Sequence, residues 1–420
     1  SCTEWKEYKL DEVYEVSNGL SKKREEFGFG YEFLAFTDVF NNYFVPQTLD
    51  NLVNSSEMER VKCSIKRGDV FLTRTSEKLD ELGRSCVALK DYPNATFNGF
   101  TKRLRPIGNV EILPEYAGYY FRSLKFRNAV TSMSSMTTRA SLNNDMISLL
   151  TITVPTLEEQ ENIANILSCL DEKIELNNEM NKTLEEMAQS IFKRWFVDFE
   201  FPNEDGEPYK SSGGEMVDSE LGMIPKGWEV KKISELIEVK DGTHASPKVS
   251  KEGFPLVTSK HIKGDRIAIE DAKIISEKDY LEVNKRSKVD TGDILISMIG
   301  TVGLTYFVQE EEINFAIKNI GLFKTSQNKT LSEYFYLYLK SDNMKNYIEA
   351  RLAGTTQKYI SLGELRNIPV VLPNDSIIDK FKKVVGVLLD KRRLNIINNE
   401  ELMITRDTLL PKLMNGEIMI

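Results

Sequence analysis

Two stretches of the chain carry the same hydrophobic pattern. In the first, apolar residues recur at alternating spacings of four and three from Ile163 to Trp195, interrupted only by Asn177 and Asn181. This spacing is typical of a helix that packs along one stripe of its surface, as in a coiled coil. We therefore predict one long helix here, with two asparagines in the middle of its packing face.

The second copy runs from Phe381 to Leu413, 218 positions later, and it carries Asn395 and Asn399 at the corresponding places. Buried asparagines that meet each other select one helix register at some cost in stability. We predict an antiparallel coiled coil in which Asn177 faces Asn399 and Asn181 faces Asn395. A parallel pair would also match the asparagines, but the antiparallel pair is favoured because each helix follows its own globular unit.

The second seam contains two charged positions, Arg392 and Arg406. Their side chains could extend to the edge of the coil. Alternatively, the second helix is rotated by one residue, so that Leu389 and Ile396 face inward. A further alternative places the asparagines on a solvated face.

The segments before the two helices also correspond. Trp5–Gly19 recurs as Trp228–Gly242, with the same separation of 14 positions, and the turn and apolar run at 67–72 recurs at 291–296. A turn dipeptide followed by a β-branched apolar run predicts a strand. The sequence thus predicts an α+β fold, in which two mixed α/β units related by a pseudo-twofold are separated by an antiparallel coiled coil of two long helices.

The composition of the connecting segment completes the predicted organisation. It is rich in Gly, Pro, Ser and acidic residues, which is typical of a linker without a core of its own. The predicted parts are a first globular unit at 1–155, a long helix at 156–197, a linker at 198–227, a second globular unit at 228–373 and a C-terminal long helix at 374–420.

Composition and charge limit the possible partners. The chain has 420 residues and a net charge of −9, with no apolar run long enough for a membrane span and no signal-peptide pattern at its start. Its four cysteines are scattered, which favours free thiols in the cytoplasm. Proteins that hold DNA by charge alone are usually basic. Any DNA contacts are therefore expected to be local, with partner proteins completing the grip.

The sequence lacks the patterns of common active sites. It has two histidines, no Gly-x-x-x-x-Gly-Lys-Ser/Thr loop and no Pro-Pro pair of the kind that an amino-methyltransferase needs. The glycines in Phe27–Gly30 follow a charged run and not an apolar strand, which argues against a cofactor turn. We expect a binding module without catalytic residues, a metal site or a cofactor site.

Three segments resemble one family, the specificity (S) subunit of type I restriction-modification systems. They are Ser-Glu-Leu-Gly-Met-Ile-Pro-Lys-Gly-Trp at 219–228, Pro-Thr-Leu-Glu-Glu-Gln-Glu-Asn-Ile-Ala at 155–164 and Leu-Leu-Pro-Lys-Leu-Met-Asn-Gly-Glu-Ile at 409–418. The first resembles the entry into the family's second recognition domain, and the other two its conserved helical regions. The first unit lacks the same lead-in and has only Thr3-Glu4 before Trp5.

The resemblance implies a DNA sequence-specificity subunit that recognises a bipartite, asymmetric site in double-stranded DNA. Each of the two target recognition domains would read one half of this site. The conserved helices would dock methyltransferase subunits, expected to be two, and restriction subunits would join through that complex. S-adenosylmethionine and ATP would then bind the partner subunits.

Two alternatives compete with this interpretation. The first is a coiled-coil scaffold that binds other proteins and not DNA, which the acidic net charge favours. The second is a fused restriction enzyme with its own nuclease, which the missing motifs oppose.

Candidate DNA contacts are polar and cationic residues that follow corresponding glycines and strands in the two units. Arg, Asn, Gln, Ser, Thr and His suit base edges, and Lys suits phosphates, although any single one could be a solvated surface residue. In the first unit the candidates are Lys22, Lys23, Arg24, Arg74, Ser76, Lys102, Arg103 and Arg139. In the second they are His244, Ser246, Lys248, Ser259, Lys260, His261, Lys318, Asn319, Thr356, Gln357 and Lys358.

Overall fold

The structure is a computed structural model that describes residues 5–76, 81–133 and 140–418. The chain divides into two compact units, one of Ser1–Glu175 with Asn399–Ile420 and one of Leu176–Asn398. Each unit is mixed α/β and contains part of both long helices. The prediction of an α+β fold with two long helices is confirmed.

The first unit contains short strands and helices that precede a long helix. Its strands are β1 (Lys6–Lys9), β2 (Tyr14–Asn18), β3 (Phe27–Leu34), β4 (Leu52–Val53), β5 (Val70–Thr73), β6 (Thr75–Ser76), β7 (Ser85–Val87), β8 (Thr96–Phe97), β9 (Thr101–Pro106), β10 (Ala140–Ser141) and β11 (Thr151–Val154). Its helices are α1 (Leu10–Val13), α2 (Phe36–Asn41), α3 (Glu57–Lys62), α4 (Pro114–Tyr120), α5 (Leu124–Met133), α6 (Asn144–Leu149) and the first half of α7 (Leu157–Phe196).

The second unit contains a corresponding set. Its strands are β12 (Met216–Val217), β13 (Ile224–Pro225), β14 (Glu229–Lys232), β15 (Val239–Asp241), β16 (Val249–Thr258), β17 (Lys273–Ile275), β18 (Ile294–Ser297), β19 (Thr305–Phe307), β20 (Ala316–Lys318), β21 (Ile320–Phe323) and β22 (Pro369–Leu372). Its helices are α8 (Ile233–Leu236), α9 (Glu277–Ser287), α10 (Ser332–Lys340), α11 (Asp342–Glu349), α12 (Leu362–Arg366) and the first part of α13 (Asp375–Met414).

The sheet orders show that the two units share one topology. The first unit has an antiparallel sheet β2-β9-β5-β7, a mixed sheet β4-β3-β8 and a ribbon β1-β11. The second has β15-β21-β18-β19, β17-β16-β20 and β14-β22 in the same roles. The duplication read from the sequence is therefore a duplication of strand order and pairing.

A buried ion pair recurs beneath the corresponding turns. Asp69 follows a glycine with φ of 87°, its carboxylate accepts a hydrogen bond from the Lys66 amide at 2.7 Å, and it pairs with Arg105 at 2.6 Å. In the second unit Asp293 pairs with Lys324 at 2.5 Å. Both aspartates are fully buried, so their charges require these partners. Each turn thereby leads directly into a buried strand.

The long helices run antiparallel where they pack within the second unit. The rings of Trp195 and Phe381 are 5.7 Å apart, and Asn395 donates a hydrogen bond from Nδ2 to Asn181 Oδ1 at 2.9 Å. Moving backward along α7 thus corresponds to moving forward along α13, which confirms that Asn181 faces Asn395. Asn177 is also buried, so the solvated-face alternative is wrong.

In the first unit, the start of α7 packs against the end of α13. Ile163 and Leu167 share a core with Leu410 and Leu413. Nearby, the Nη1 of Arg406 lies 2.6 Å from an oxygen of Asp171. Arg406 is therefore accommodated on the packing face of α13 because its charge is paired with the carboxylate of Asp171 on α7.

The second helix follows the predicted stripe with local departures, one of which buries Leu410 in place of the predicted Leu409. Leu389 is buried, whereas Leu388 is only partly buried. Arg392 nevertheless remains on the buried stripe, where it forms ion pairs with Glu185 and Asp265. A uniform rotation by one residue would have moved this arginine outward, so ion pairing and not rotation accommodates it.

Residues 198–227 differ from the expectation of a linker apart from any core. Phe201 is buried, and its ring stacks on Trp228 at 4.9 Å and on Tyr209 at 4.6 Å. The short strands β12 and β13 pair with each other in the same segment. Although the segment is mostly irregular, its aromatic residues anchor it to the second unit's core.

Candidate nucleic-acid interface

In the second unit, hydrogen bonds join the segments that follow β15, β16, β18 and β20. The Asn319 amide donates to the Thr243 carbonyl at 3.3 Å, and the Ser259 hydroxyl donates to the Asn319 carbonyl at 2.9 Å. The same hydroxyl accepts from the Met298 amide at 3.2 Å. The structure thus brings Ser259 and Asn319, which the sequence predicted separately, to one place.

His244 links two of these segments through both ring nitrogens. Its Nε2 is 2.9 Å from Asp241 Oδ2, and its Nδ1 is 2.9 Å from Asn319 Oδ1. Asp241 is buried and also binds Arg286, whereas His244 is exposed. Neither Asp241 nor Arg286 was among the predicted site residues, although Asp241 directly precedes the repeated glycine. Their role is to hold the imidazole in place.

Exposed cations and amides surround this group. Lys318 donates from Nζ to the Ser246 hydroxyl at 2.5 Å. Lys248 and Lys260 are exposed, and neither forms an ion pair within the described part of the chain. These two lysines are free to approach phosphates.

The last of the second unit's candidate residues lie together in an exposed loop. Thr356, Gln357 and Lys358 lie in it, and the Gly300 amide, in the segment after β18, donates to the Lys358 carbonyl at 3.0 Å. The loop therefore lies beside the other strand-end segments.

His261 differs from the prediction because its ring lies inside the unit. It is buried, and its Nδ1 accepts a hydrogen bond from the Thr258 amide at 2.9 Å. Burial, helped by the charge of Lys260, lowers the pKa of this imidazole. A neutral ring that accepts from its own turn is not available to DNA, so His261 shapes the turn.

In the first unit the exposed group at the corresponding strand ends consists of Arg74 and Phe100. The Arg74 amide donates to the Phe100 carbonyl at 2.8 Å, and the Phe100 side chain is 61% exposed. Ser76, two residues further on, donates to Glu81 at 3.0 Å. The prediction did not include Phe100, although an aromatic residue directly after Asn98-Gly99 was a usable signal.

Lys102 and Arg103 also differ from the prediction because both are buried. Lys102 donates to Asn18 Oδ1 at 2.6 Å and Asn144 Oδ1 at 2.7 Å, and burial, together with the nearby charge of Arg74, lowers its pKa. Arg103 donates to the Ser64 carbonyl at 2.7 Å. Both cations already donate hydrogen bonds to oxygen atoms of the protein, so neither is available to phosphates or bases.

The remaining first-unit candidates fall into three cases. Lys22 pairs with Glu26 at 3.2 Å and with Glu59 at 3.0 Å. These two carboxylates offset its positive charge, so it would attract a phosphate only weakly. Lys23 and Arg24 are exposed on a short 3-10 turn. Arg139 lies outside the described residues.

One connection differs in length between the two units. Thr101 pairs with Thr73 in the first unit, and Ile320 pairs with Ser297 at the matching position of the second. The bridges Leu20–Asn98 and Thr243–Lys318 also correspond. Between bridge and strand, the first unit has Gly99 and Phe100, while the second has Asn319 alone. The same frame thus presents an aromatic ring in one unit and an amide in the other.

Among residues 5–76, 81–133 and 140–418, no three His, Cys, Asp or Glu side chains are grouped as a metal ion would require. The helices of this part of the chain include none that is long and apolar enough to cross a bilayer.

Known proteins resemble this chain over nearly its full length. The HindI type I restriction enzyme specificity subunit of Haemophilus influenzae is 28% identical over 99% of this chain and 100% of its own length. The MjaIX specificity subunit of Methanocaldococcus jannaschii is 27% identical over 99% of this chain and 94% of its own.

A solved structure supports the fold, and a family match supports membership. The crystal structure of a type I restriction-modification S subunit from M. genitalium covers 98% of this chain and 96% of its own, with a TM-score of 0.56 at 16% identity. Residues 3–186 and 225–399 match the family described as type I restriction modification DNA specificity domain. A scaffold without a DNA role is therefore not favoured, and the chain belongs to this family of type I restriction-modification DNA specificity subunits.

Proposed function

We propose that this protein recognises a bipartite, asymmetric site in double-stranded DNA, with one half contacted by each unit. The observation that carries the proposal is the shared frame with different side chains at matching strand ends. Arg74 and Phe100 are presented in the first unit, and His244 and Asn319 in the second. Guanidinium, amide and imidazole groups suit base edges, and a phenyl ring suits the thymine methyl group. Because the two units present different side chains, they would select different half-sites.

We further propose that methyltransferase and restriction subunits perform the chemistry. The relatives are named specificity subunits of restriction enzymes, and this chain has no nucleotide-binding or methyltransferase motif. In this proposal the chain is not an enzyme: two methyltransferase subunits bind S-adenosylmethionine, and restriction subunits bind ATP and join through the complex. A net charge of −9 supports partners that complete the grip on DNA in the cytoplasm.

The central experiment is to reconstitute the chain with a methyltransferase subunit and map methylated positions across a genome. We expect one motif with two defined halves separated by an unspecified spacer. Replacing residues 15–150 with those of a relative should change one half only. The half read by the unaltered second unit is the internal control.

Three outcomes would contradict parts of the proposal. A motif unchanged by the exchange would refute the division of labour between the units. A complex that binds its partners but methylates no defined motif would favour the scaffold alternative. Methyl transfer by the chain alone, with S-adenosylmethionine but no partner, would refute its non-catalytic role.

The exposed lysines provide a second, finer test. Lys248→Ala and Lys260→Ala should each weaken binding to all sequences equally and reduce the salt dependence of log K by about one. Lys102→Gln is the contrasting variant, because that lysine is bonded to Asn18 and Asn144. It should lower stability without a selective change in the salt slope.

A further inference from the structure

The helices α4 and α10 occupy matching places in the two units. Each has a tyrosine whose hydroxyl donates to a carbonyl of the strand before the long helix, at 2.7 Å from Tyr116 and at 2.5 Å from Tyr334. These tyrosines are 218 positions apart, and so are their acceptors in β11 and β22. The same offset matches the cation near the end of each helix, Arg122 in the first unit and Lys340 in the second.

In the first unit, the segment 36–45 occupies the space beside this cation. Arg122 donates from Nη2 to three carbonyls at the end of α2, at distances of 2.6–3.0 Å. Its guanidinium carbon also lies 5.3 Å from the ring centre of Tyr43, which follows α2. The cation thus binds both the carboxyl end of a short helix and the aromatic residue after it.

The same segment then pairs with the edge of the first unit's sheet. The Val87 amide of β7 donates to the Tyr43 carbonyl at 3.0 Å, and the Val45 amide donates to the Val87 carbonyl at 2.9 Å. The intervening Phe44 lies directly on Gly118, where an added Cβ would be 2.2 Å from the phenyl ring. The first unit therefore fills this place with a helix end, a tyrosine and a short piece of parallel strand.

In the second unit, the matching place is an open cleft of about 690 Å³ beside Lys340. Its wall is formed by α7, by the start of β19 and by the turn between α10 and α11. The connection after β16 forms a 3-10 turn and a hairpin, and it contributes Gly264 to this wall. The described part of the second unit thus leaves open the place that the first unit fills with α2 and Tyr43.

Polar groups at this cleft lack the partners that their counterparts have. Phe307 in β19 corresponds to Val87, because the pairs Ile294–Phe307 and Val70–Val87 match in register. Alternate residues of an edge strand direct their main-chain groups away from the sheet. The N–H and C=O of Phe307 have no hydrogen-bond partner in the described part of the chain, and the buried Nε2 of Gln189, in the cleft wall, has no acceptor there.

Lys340 can bind one further oxygen atom. Its Nζ pairs with Glu185 at 2.5 Å and donates to the Tyr336 hydroxyl at 3.2 Å. An ammonium group has three donors. One N–H is therefore left for a carbonyl of the kind that Arg122 binds in the first unit.

Tyr336 restricts the residue that can follow an aromatic side chain in the cleft. It stands at the position matched to Gly118, and its buried ring stacks on Phe307 at 5.3 Å. A side chain as large as Phe44, whose ring lies on Gly118 in the first unit, would collide with the Tyr336 ring. The cleft therefore suits a small residue at this place.

We propose that this cleft of the second unit binds a segment of a partner protein. The segment ends a helical turn, places an aromatic side chain beside Gln189 and Lys340, and continues past a small residue as a strand along β19. Lys340 binds carbonyls at the helix end, whose partial negative charge suits a cation. The strand adds to the sheet edge through main-chain hydrogen bonds. This binding goes beyond DNA recognition and does not depend on it.

The probe is a fluorescent synthetic peptide with the sequence of residues 35–46, in which Phe44 is replaced by alanine. We expect saturable binding to the full chain, measured by fluorescence anisotropy. Tyr43→Ala in this peptide should weaken binding about tenfold, because the ring that fills the cleft is removed. The peptide that keeps Phe44 should also bind more weakly, since its ring meets Tyr336.

A substitution in the protein locates the bound peptide. Ser190 is exposed in the cleft wall, so Ser190→Trp should fill the cleft and weaken binding about tenfold or more, with unchanged unfolding. Met187 is 47% exposed on the same helix and is not part of the wall. Met187→Trp is therefore the matched control and should leave binding unchanged.

Two kinds of result would overturn the proposal. The first is no saturable binding, or binding that Ser190→Trp leaves unchanged, as expected if the peptide attached elsewhere or replaced its own copy in the first unit. The second is displacement of the peptide by double-stranded DNA that carries the selected site, which would assign the cleft to DNA. The bipartite motif is measured separately by methylation mapping, so this inference can fail while the DNA-recognition proposal stands.

Discussion

Asn395 donates a hydrogen bond from its Nδ2 to Asn181 Oδ1 at 2.9 Å, and both side chains are buried between α7 and α13. Burying an amide is unfavourable unless it finds a partner. A register that placed either amide against an apolar side chain would lose this bond. The pair therefore selects the register of the two helices within the second unit.

The first prediction concerns the cost of separating this pair. Asn181→Leu should lower the free energy of unfolding by about 1–3 kcal/mol, because the Asn395 amide is left without its acceptor. Replacing both residues by leucine should recover much of that loss, since two apolar groups replace two polar ones. Denaturant unfolding of both single variants and of the double variant measures these differences.

A neighbouring position provides the control for these variants. Lys182 is exposed, so Lys182→Leu should change the unfolding free energy by no more than about 0.5 kcal/mol. A double asparagine variant as unstable as the two single losses combined would show that the amides stabilise the coil independently and do not act as a pair.

The second prediction concerns the buried arginine of α13. Arg392 Nη1 lies 2.9 Å from Glu185 and 3.1 Å from the Tyr336 hydroxyl, and Nη2 contacts Asp265. Arg392→Met should cost about 2–3 kcal/mol. This loss of unfolding free energy is smaller than the loss from breaking an isolated buried ion pair, because Lys340 still pairs with Glu185 at 2.5 Å.

The adjacent arginine is the matched control for this substitution. Arg393 is partly buried and has no ion-pair partner within the described part of the chain. Arg393→Met should therefore leave the unfolding free energy within about 0.5 kcal/mol of the parent. Equal losses from the two variants would mean that the aliphatic part of the side chain, and not the ion pairing, stabilises this position.

The elements that could be predicted are those set by local repetition. The seam from Ile163 to Trp195 identified α7, and its copy identified α13 and the pairing of Asn181 with Asn395. The change from Leu388 to Leu389 on the buried face was harder to predict. A straight helix has about 3.6 residues per turn, so its buried face drifts from a strict seven-residue pattern.

The candidate site was less predictable because tertiary contacts decide which polar residues are exposed. Lysine and arginine are usually at the surface, yet Lys102 and Arg103 are buried on β9, where asparagine and main-chain oxygens bind them. Phe100 became exposed through a connection that is one residue longer than its counterpart. Neither outcome follows from local spacing, because each depends on how separate strands pair.

The third prediction concerns the pH dependence of stability in the second unit. Burial raises the pKa of Glu333 on α10, although Lys382 at 3.4 Å acts in the opposite direction. The folded state therefore retains this proton at pH values where the unfolded chain has lost it. Stability should fall as pH rises from the ordinary glutamate pKa through the raised value.

Glu333→Gln should remove this dependence. The variant should be more stable than the parent at neutral pH, and its stability should be flatter across the same range, as measured by unfolding at several pH values. Glu349 is exposed, so Glu349→Gln is the control and should keep the parent's slope. A parent slope that persists in Glu333→Gln would show that another group titrates.

The fourth prediction separates recognition from stability at Phe100. The ring is 61% exposed, while its main-chain amide donates to Asn98 Oδ1 at 2.7 Å and its carbonyl accepts from Arg74. Phe100→Ala should therefore change the unfolding free energy by no more than about 0.5 kcal/mol. It should weaken binding of the reconstituted complex to its selected DNA about tenfold, because an apolar contact with a base is lost.

Leu124 is the matched control for Phe100, since it is also apolar and 64% exposed but lies on α5 and not in the connection that follows Asn98. Leu124→Ala should leave both stability and DNA affinity unchanged. Selection from randomised duplexes should show that Phe100→Ala relaxes base preference in the first unit's half-site and leaves the other half intact. An equal loss of affinity for every sequence, without relaxed preference, would mean that Phe100 does not read bases and that the exposed first-unit cations contact only the DNA backbone.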